Sequence, residues 1–488
     1  TINDFIDWRE FHLNKLTLEA DWRLKTLWEL DPERHPHLHT VPNTGWCFNT
    51  LTCVDDFALS RKCSIFGASM MNDPQMCAQA VSSAHGKYFY NAEWHINYGG
   101  LSMFQRVISR ERFLFELLPQ LGWGVKGLLF WQYRPESLGT EAPAWGLVNS
   151  DGSKRKVTEH AEYFIRQIKP HLPALEECSP QKPRALIWRS NRNDLFQFCR
   201  YGNYNVFREE LKRYSDALYK LNIPFGFVNS ESILEDSIDE GVSLLILPQM
   251  YYMNQAEANA LDLFIEKGGV VLSEGNLAAY NSDTGRHSEK TPGLGLAEKW
   301  GVFESETTSS WHLPSAGEDA AHASGDVQKA LETTGVKGSE FFPLTGVDGD
   351  TGFGALDFAQ ISGGEEMAHF KGVPCIVRKE IGNGALFYCG THFAYASSKG
   401  EDLFYSLLKK AAERAGIQLY PDLKNLRVDK LFNKDGELEF IVCSNTGEND
   451  ETLNLPDGTW HDVFGRGITL SPQNAFLFSR KKGIHAEE

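Results

Sequence analysis

Four short apolar runs lie within the first 170 or so residues: His37-Leu38-His39-Thr40-Val41, Ser64-Ile65-Phe66-Gly67-Ala68-Ser69, Lys87 to Glu93 and Gly127 to Arg134. Helical stretches alternate with them, among them one from about Met103 to Leu118. Strand, helix, strand in this rhythm predicts parallel strands joined by crossover helices. A closed barrel of eight such units needs about 250 residues. Four strands therefore make half a barrel, with unpaired edges and half an apolar interior.

Ahead of the first run, Phe11, Leu16, Leu18, Trp22, Leu27 and Leu30 recur at roughly helical spacing until Asp31-Pro32 stops them. That pattern predicts one long amphipathic helix. Pro170, Pro173, Pro180 and Pro183 then mark a boundary. Beyond it, Ala185 to Trp188, Phe225 to Val228, Leu244 to Pro248 and Val270 to Ser273 alternate with helices at Phe207 to Leu221 and Ala256 to Lys267. A doubly wound α/β domain is expected there.

Residues 281–372 are rich in Gly, Ser, Thr and acidic side chains with weak periodicity, and read as an insertion or long connection. Strands resume at Cys375 to Arg378 and Ala385 to Cys389, turning at Gly382-Asn383-Gly384, and a helix from Asp402 to Ala415 closes the domain. From Tyr420 onward, apolar runs separated by Lys434-Asp435-Gly436, Pro456-Asp457-Gly458 and Gly465 predict a small antiparallel β domain. The expected boundaries are 1–175, 183–418 and 420–488.

At 488 residues, several domains are expected. The formal net charge of -17 disfavours a nucleic-acid partner, and no apolar span approaches the ~20 residues of a membrane helix. The nine cysteines, Cys47, Cys53 and Cys63 among them, show neither zinc spacing nor a disulfide framework, so they read as reduced thiols in a cytoplasmic protein. Thr1 follows no initiator methionine and opens no signal peptide, which makes the chain read as part of something longer.

Glu93 closes an apolar run and is followed by Trp94 and His95. A carboxylate at a strand end, walled by aromatics, suits glycoside hydrolysis, which commonly uses two carboxyl groups flanking the scissile bond. An ordinary surface glutamate would look the same by spacing alone. Trp94, Trp131, Tyr133 and Trp145 offer ring faces for a pyranose, or else pack in the core. Glu141 lies in the loop after the last of the four strands, where it could accept sugar hydroxyls or clamp Arg134. His12, His37, His39 and His95 lack metal-ligand spacing and read as structural histidines, so neither a metal nor a cofactor is expected.

Taken together, Lys87 to Glu93, the Gly127 to Arg134 strand with its Glu141 loop, and Leu244 to Gly269 resemble the family 42 glycoside hydrolases, mainly bacterial β-galactosidases. The resemblance covers nearly the whole chain, from Asp7-Trp8-Arg9-Glu10-Phe11 onward, and is strongest over Leu129 to Gly146. It implies the C-terminal part of a (β/α)8 TIM barrel, a glutamine-amidotransferase-like (flavodoxin-like) α/β domain that assembles trimers, and a small C-terminal β domain.

By the same resemblance Glu93 is the nucleophile of a retaining β-galactosidase and Glu141 holds galactose hydroxyls. Trp94, Trp131, Arg134 and Trp145 are the further sugar-binding candidates, with Tyr98 an alternative to Trp94. The family's acid/base glutamate sits in an Asn-Glu pair, and none occurs in residues 1–93. The chain alone is therefore expected to hydrolyse little. Amidotransferases place a cysteine after a central strand; here Leu247-Pro248-Gln249-Met250-Tyr251 stands there, which favours assembly over catalysis. The reading from another class is a noncatalytic oligomerisation or carbohydrate-binding protein.

Overall fold

The structure, a computed structural model, describes residues 1–42, 54–95, 107–139, 141–202, 205–310 and 340–481. It divides into two compact units: residues 1–12, 183–218 and 225–419, and residues 13–182, 219–224 and 420–488. Three segments were expected. The C-terminal strands instead share one core with the N-terminal strands and helices, which makes those two segments a single unit.

That unit contains a four-stranded parallel sheet in chain order: β1 (His37–Thr40), β2 (Ile65–Ala68), β3 (Tyr88–His95) and β4 (Gly127–Trp131). The first helix, α1 (Ile2–Leu30), is continuous; α2 (Asp56–Ser60), α3 (Pro74–Ser83), α4 (Arg110–Gly122) and α5 (Lys156–Ile168) follow in turn. Helix starts are set by side-chain caps. Asp55 accepts from the Ala58 amide, Asp73 from Met76 and Ser109 from Arg112, each meeting a backbone donor the first helical turn leaves unpaired.

Helix α4 buries Phe113, Leu114, Leu117 and Leu118. They meet Val157, Ala161 and Phe164 of α5 and, from the C-terminal strands, Phe440, Val442 and Leu477. Those strands form an antiparallel five-stranded sheet ordered His461–Asp462, Asn474–Ser479, Leu438–Asn445, Leu426–Phe432, Ser179–Pro180. Pro180, expected as boundary punctuation, thus sits in an edge strand, the sheet position that tolerates a residue without an N–H.

Helix α1 is as long as expected, but its apolar face points the other way. Ile6, Leu13 and Leu24 are buried, whereas Phe11 (61%), Leu18 (66%), Trp22 (65%) and Leu30 (79%) are exposed. Periodicity locates an apolar stripe without saying what covers it.

The other unit is built on a nine-stranded mixed sheet. Its parallel part runs Phe225–Asn229, Ala185–Arg189, Leu244–Leu247, Val270–Glu274, Gly384–Cys389, which is the 2-1-3-4-5 order of flavodoxin-like domains. Val373–Ile381, Glu365–Phe370, Phe341–Gly346 and Thr351–Ala355 extend it as antiparallel strands, and Phe303–Ser309 pairs with Asp357–Ser362. The expected insertion over 281–372 is therefore largely regular where described. Its polar strands follow the alternation of half-exposed sheets, as in the buried-exposed pattern of Phe341–Gly346. No helix among the described residues is long and apolar enough to cross a membrane.

Candidate active site

The C-terminal ends of β1, β2 and β3 bring three side chains together around Glu93. Parallel register pairs Thr40 with Ala68 and Ala68 with Asn91, so residues at or just beyond these positions converge at one end of the sheet. Ser69 Oγ donates to Glu93 Oε2 at 2.7 Å, and His39 Nε2 lies 2.7 Å from the same hydroxyl. On the other side, His95 Nε2 is 3.0 Å from Glu93 Oε1. A serine hydroxyl has one proton and a carboxylate has none. Both histidines are accordingly assigned a proton on Nε2, giving a relay from His39 through Ser69 to Glu93.

These contacts set the charge of Glu93. The hydrogen bond from His95 holds the carboxyl below its ordinary range; burial opposes this, and the bond from Ser69 adds to it. The pKa of His39 is lowered as well, by burial against the pull of Glu93, which for an imidazole favours the neutral ring. Glu93 is an anion whose side chain remains 24% exposed.

Around this group the backbone is pinned. Asn91 is fully buried; its Oδ1 accepts from the Met70 and Glu93 amides and its Nδ2 donates to Met70 O and Gln120 Oε1. Gly67 makes room below: a Cβ there would stand 2.5 Å from Cζ of Tyr90. Trp145, at φ 54°, stacks on His95 with ring centroids 4.7 Å apart and 13° between planes.

The candidates divide accordingly. Trp145 is nearly buried and braces the histidine that holds Glu93. Trp94, a sugar-contact candidate, is only 2% exposed and packs edge-on against Phe113 and Phe130, inside the apolar core. Successive strand residues point to opposite faces, so the neighbour of Glu93 faces the helices.

Trp131 ends β4 opposite His95, and its indole N–H is buried without an acceptor among the described residues. Gln132 Nε2 is in the same condition. Beyond it, Gln132 pairs with the backbone of Trp145 and Leu147. Glu141 is half-buried in the turn closed by the Ala144 amide at 2.6 Å, while Arg134 is exposed. No ion pair joins them among the described residues, so the clamp between them is not formed. Tyr98 lies outside the described residues.

His39 and His95, read as structural from spacing, are instead the partners of Glu93. Ser69 and Asn91 were not singled out. The available signal was positional: His39, Ser69 and His95 each stand at the end of a successive parallel strand, where sites on such sheets form.

Comparison with known proteins agrees with this architecture. Residues 187–418 match the β-galactosidase trimerisation domain. β-Galactosidase BgaA from Planococcus sp. (strain 'SOS Orange') is 24% identical over 282 residues, covering 56% of this chain. The chain spans only 36% of that relative's length. Among solved structures, a β-galactosidase from Bacillus circulans sp. alkalophilus has a TM-score of 0.77 at 14% identity, over 98% of this chain and 68% of its own. A family 42 β-galactosidase from G. stearothermophilus gives 0.74 at 12%, over 99% and 69%. Residues 187–418 thus match a β-galactosidase trimerisation domain, and the fold of these β-galactosidase structures is shared over nearly the whole chain.

Proposed function

We propose that this chain supplies the nucleophile half of a retaining β-galactosidase site. The observation that carries the reading is the ionised, half-buried carboxylate of Glu93, held at the ends of consecutive parallel strands by His95 and Ser69. A low carboxyl pKa suits a nucleophile, whereas the general acid of a glycosidase needs a raised one. Glu93 would attack the anomeric carbon of a terminal β-D-galactose and form a galactosyl-enzyme. An acid/base carboxyl about 5–5.5 Å away would protonate the leaving oxygen and then activate water.

The four strands are then the C-terminal half of a (β/α)8 barrel, and the acid/base belongs to sequence outside these 488 residues. General acid/base assistance contributes about 10²–10⁴ in rate, so the chain by itself should hydrolyse little. Glu141 would accept hydrogen bonds from sugar hydroxyls. The buried donor of Trp131 and the exposed guanidinium of Arg134 are the further candidates at the same strand end.

Assembly into a homotrimer is supported by the domain match over 187–418. The described cysteines, such as Cys77 and Cys375, are free thiols, in keeping with a cytoplasmic protein. The deciding experiment uses the complete protein and nitrophenyl β-galactoside. Glu93→Gln should lower kcat by more than about 10³-fold, on the order of 4 kcal/mol of transition-state stabilisation. Glu93→Gly with azide should release the α-galactosyl azide. Unchanged hydrolysis by Glu93→Gln would remove Glu93 from the nucleophile role, whereas no hydrolysis by the complete wild-type protein would favour a noncatalytic carbohydrate-binding or oligomerisation role.

A further inference from the structure

The flavodoxin-like unit contains a second, fully buried cluster. Glu274 ends the strand Val270–Glu274, His392 follows Gly384–Cys389, and Gln249 follows Leu244–Leu247 at φ 44°. All three stand at carboxyl ends of the parallel strands, where ligands of open α/β sheets bind. Glu210, from the helix Asn205–Lys220, joins them. One ligand atom from each of Glu210, Glu274 and His392 lies within 4.8 Å of the others, and all three residues are buried.

We propose that Glu210, Glu274 and His392 bind one divalent transition cation, with the side-chain oxygen of Gln249 as a fourth ligand. Glu210 and Glu274 face each other and His392, while Arg200 is ion-paired with Asp357. Two buried carboxylates are costly when both are ionised; a divalent ion neutralises both, and without one the pair keeps a proton.

The hydrogen bonds are also incomplete where a ligand would sit. Glu274 Oε1 accepts from Tyr214 at 3.1 Å and the Ala394 amide at 2.8 Å, but Glu274 Oε2 and Glu210 Oε2 have no donor. Gln249 is fully buried with its side-chain N–H group toward Glu210, and neither of its polar atoms completes a hydrogen bond among the described residues; flipping the amide turns its oxygen toward the cluster. Unsatisfied buried polar atoms converging on one point are what an absent ligand leaves behind.

His392 is oriented for the role. Its Nε2 faces Tyr201 at 3.0 Å, Tyr251 at 3.3 Å and Asp357 at 3.4 Å, while Nδ1 faces Glu210 Oε1 at 2.9 Å. With the ring proton on Nε2 toward Asp357, the Nδ1 lone pair faces Glu210 Oε1 and is available to a cation between them; with the proton on Nδ1, the ring donates to Glu210 Oε1 instead. A carboxylate on the far nitrogen is the usual support of a metal-binding imidazole. Mixed imidazole and carboxylate oxygen ligands suit zinc or manganese. Tetrahedral ligands about 2.1 Å from zinc stand about 3.4 Å apart, so small rotamer shifts close the site.

The test is metal content, measured by mass spectrometry on protein from zinc- or manganese-supplemented medium after dialysis. Wild type should retain about one equivalent more than the Glu274→Gln and His392→Asn variants. Gln249→Leu, which keeps all charged ligands, should weaken Zn2+ affinity about 10–100-fold. Circular dichroism checks the fold of each variant, and a drop in wild-type Tm on stripping the ion with chelator provides a readout that needs no variant. Wild type without bound zinc or manganese, or equal metal in wild type and folded variants, overturns the proposal; the carboxyl pair would then share a proton.

Discussion

Nε2 of His95 sits 3.0 Å from Oε1 of Glu93 while the face of its ring lies on Trp145. The hydrogen bond from this histidine is the largest influence lowering the Glu93 carboxyl. Replacing His95 by Ala should raise the pKa of Glu93, and the acid limb of the kcat/KM profile of the complete protein should move to higher pH. Ser69→Ala should move it the same way by less. An acid limb that stays put in both variants would separate these residues from the ionisation of Glu93.

Trp145→Ala removes the surface against which His95 is held. The expected result is a shift of the acid limb in the direction of His95→Ala. A change confined to KM would mean that Trp145 meets the sugar directly, and the pH profile distinguishes the two.

Gly67→Ala should destabilise the four-stranded unit, because the added carbon meets the Tyr90 ring at 2.5 Å. Overpacking of this kind costs about 1–3 kcal/mol. Urea unfolding checks it, and Gly67→Ala with Tyr90→Phe should recover little, since ring carbons as well as the hydroxyl are in the way.

Trp94→Ala should cost about 3–5 kcal/mol by leaving a cavity between Phe113 and Phe130. Trp94→Phe should keep most of the stability and leave KM for galactosides unchanged. A raised KM in the folded Phe variant would restore Trp94 to the sugar site.

In chelator, stability of the flavodoxin-like unit should fall as pH rises from the ordinary glutamate range to about 7. Burial raises Glu274 from 4.5 to about 7, so the native state keeps a proton that the unfolded chain releases. The stabilisation is complete below the unfolded pKa and gone above the folded one. Asp357 acts oppositely: burial would raise it, but the His392 hydrogen bond and Arg200 bring it down to about 2, so its contribution is lost as pH falls below 3.8 toward 2. The fall of the denaturant midpoint above pH 4.5 should be shallower in Glu274→Gln, with Glu210, which burial also raises, carrying the remainder.

Much of the architecture is legible in single residues. Asp31-Pro32 ends α1, Gly382-Asn383-Gly384 turns a hairpin, and the Lys87 to Glu93 run is a strand. The strands between 303 and 370 are not, because their polar, half-exposed alternation resembles that of loops and depends on neighbours for its meaning. Helix α1 shows the complementary failure: its period was readable, but not which face is covered.

By itself, the sequence determined the order of strands and helices and the place of Glu93 at a strand end, because periodicity and turn residues act within a few positions of the chain. Only the tertiary structure decided that His39, Ser69 and His95 surround that carboxylate, that Trp94 turns away from it, and that Glu210, Glu274 and His392 meet in a second buried cluster. Those neighbours come from separate strands and helices, and only parallel register and core packing bring residues so distant in the chain within hydrogen-bonding reach.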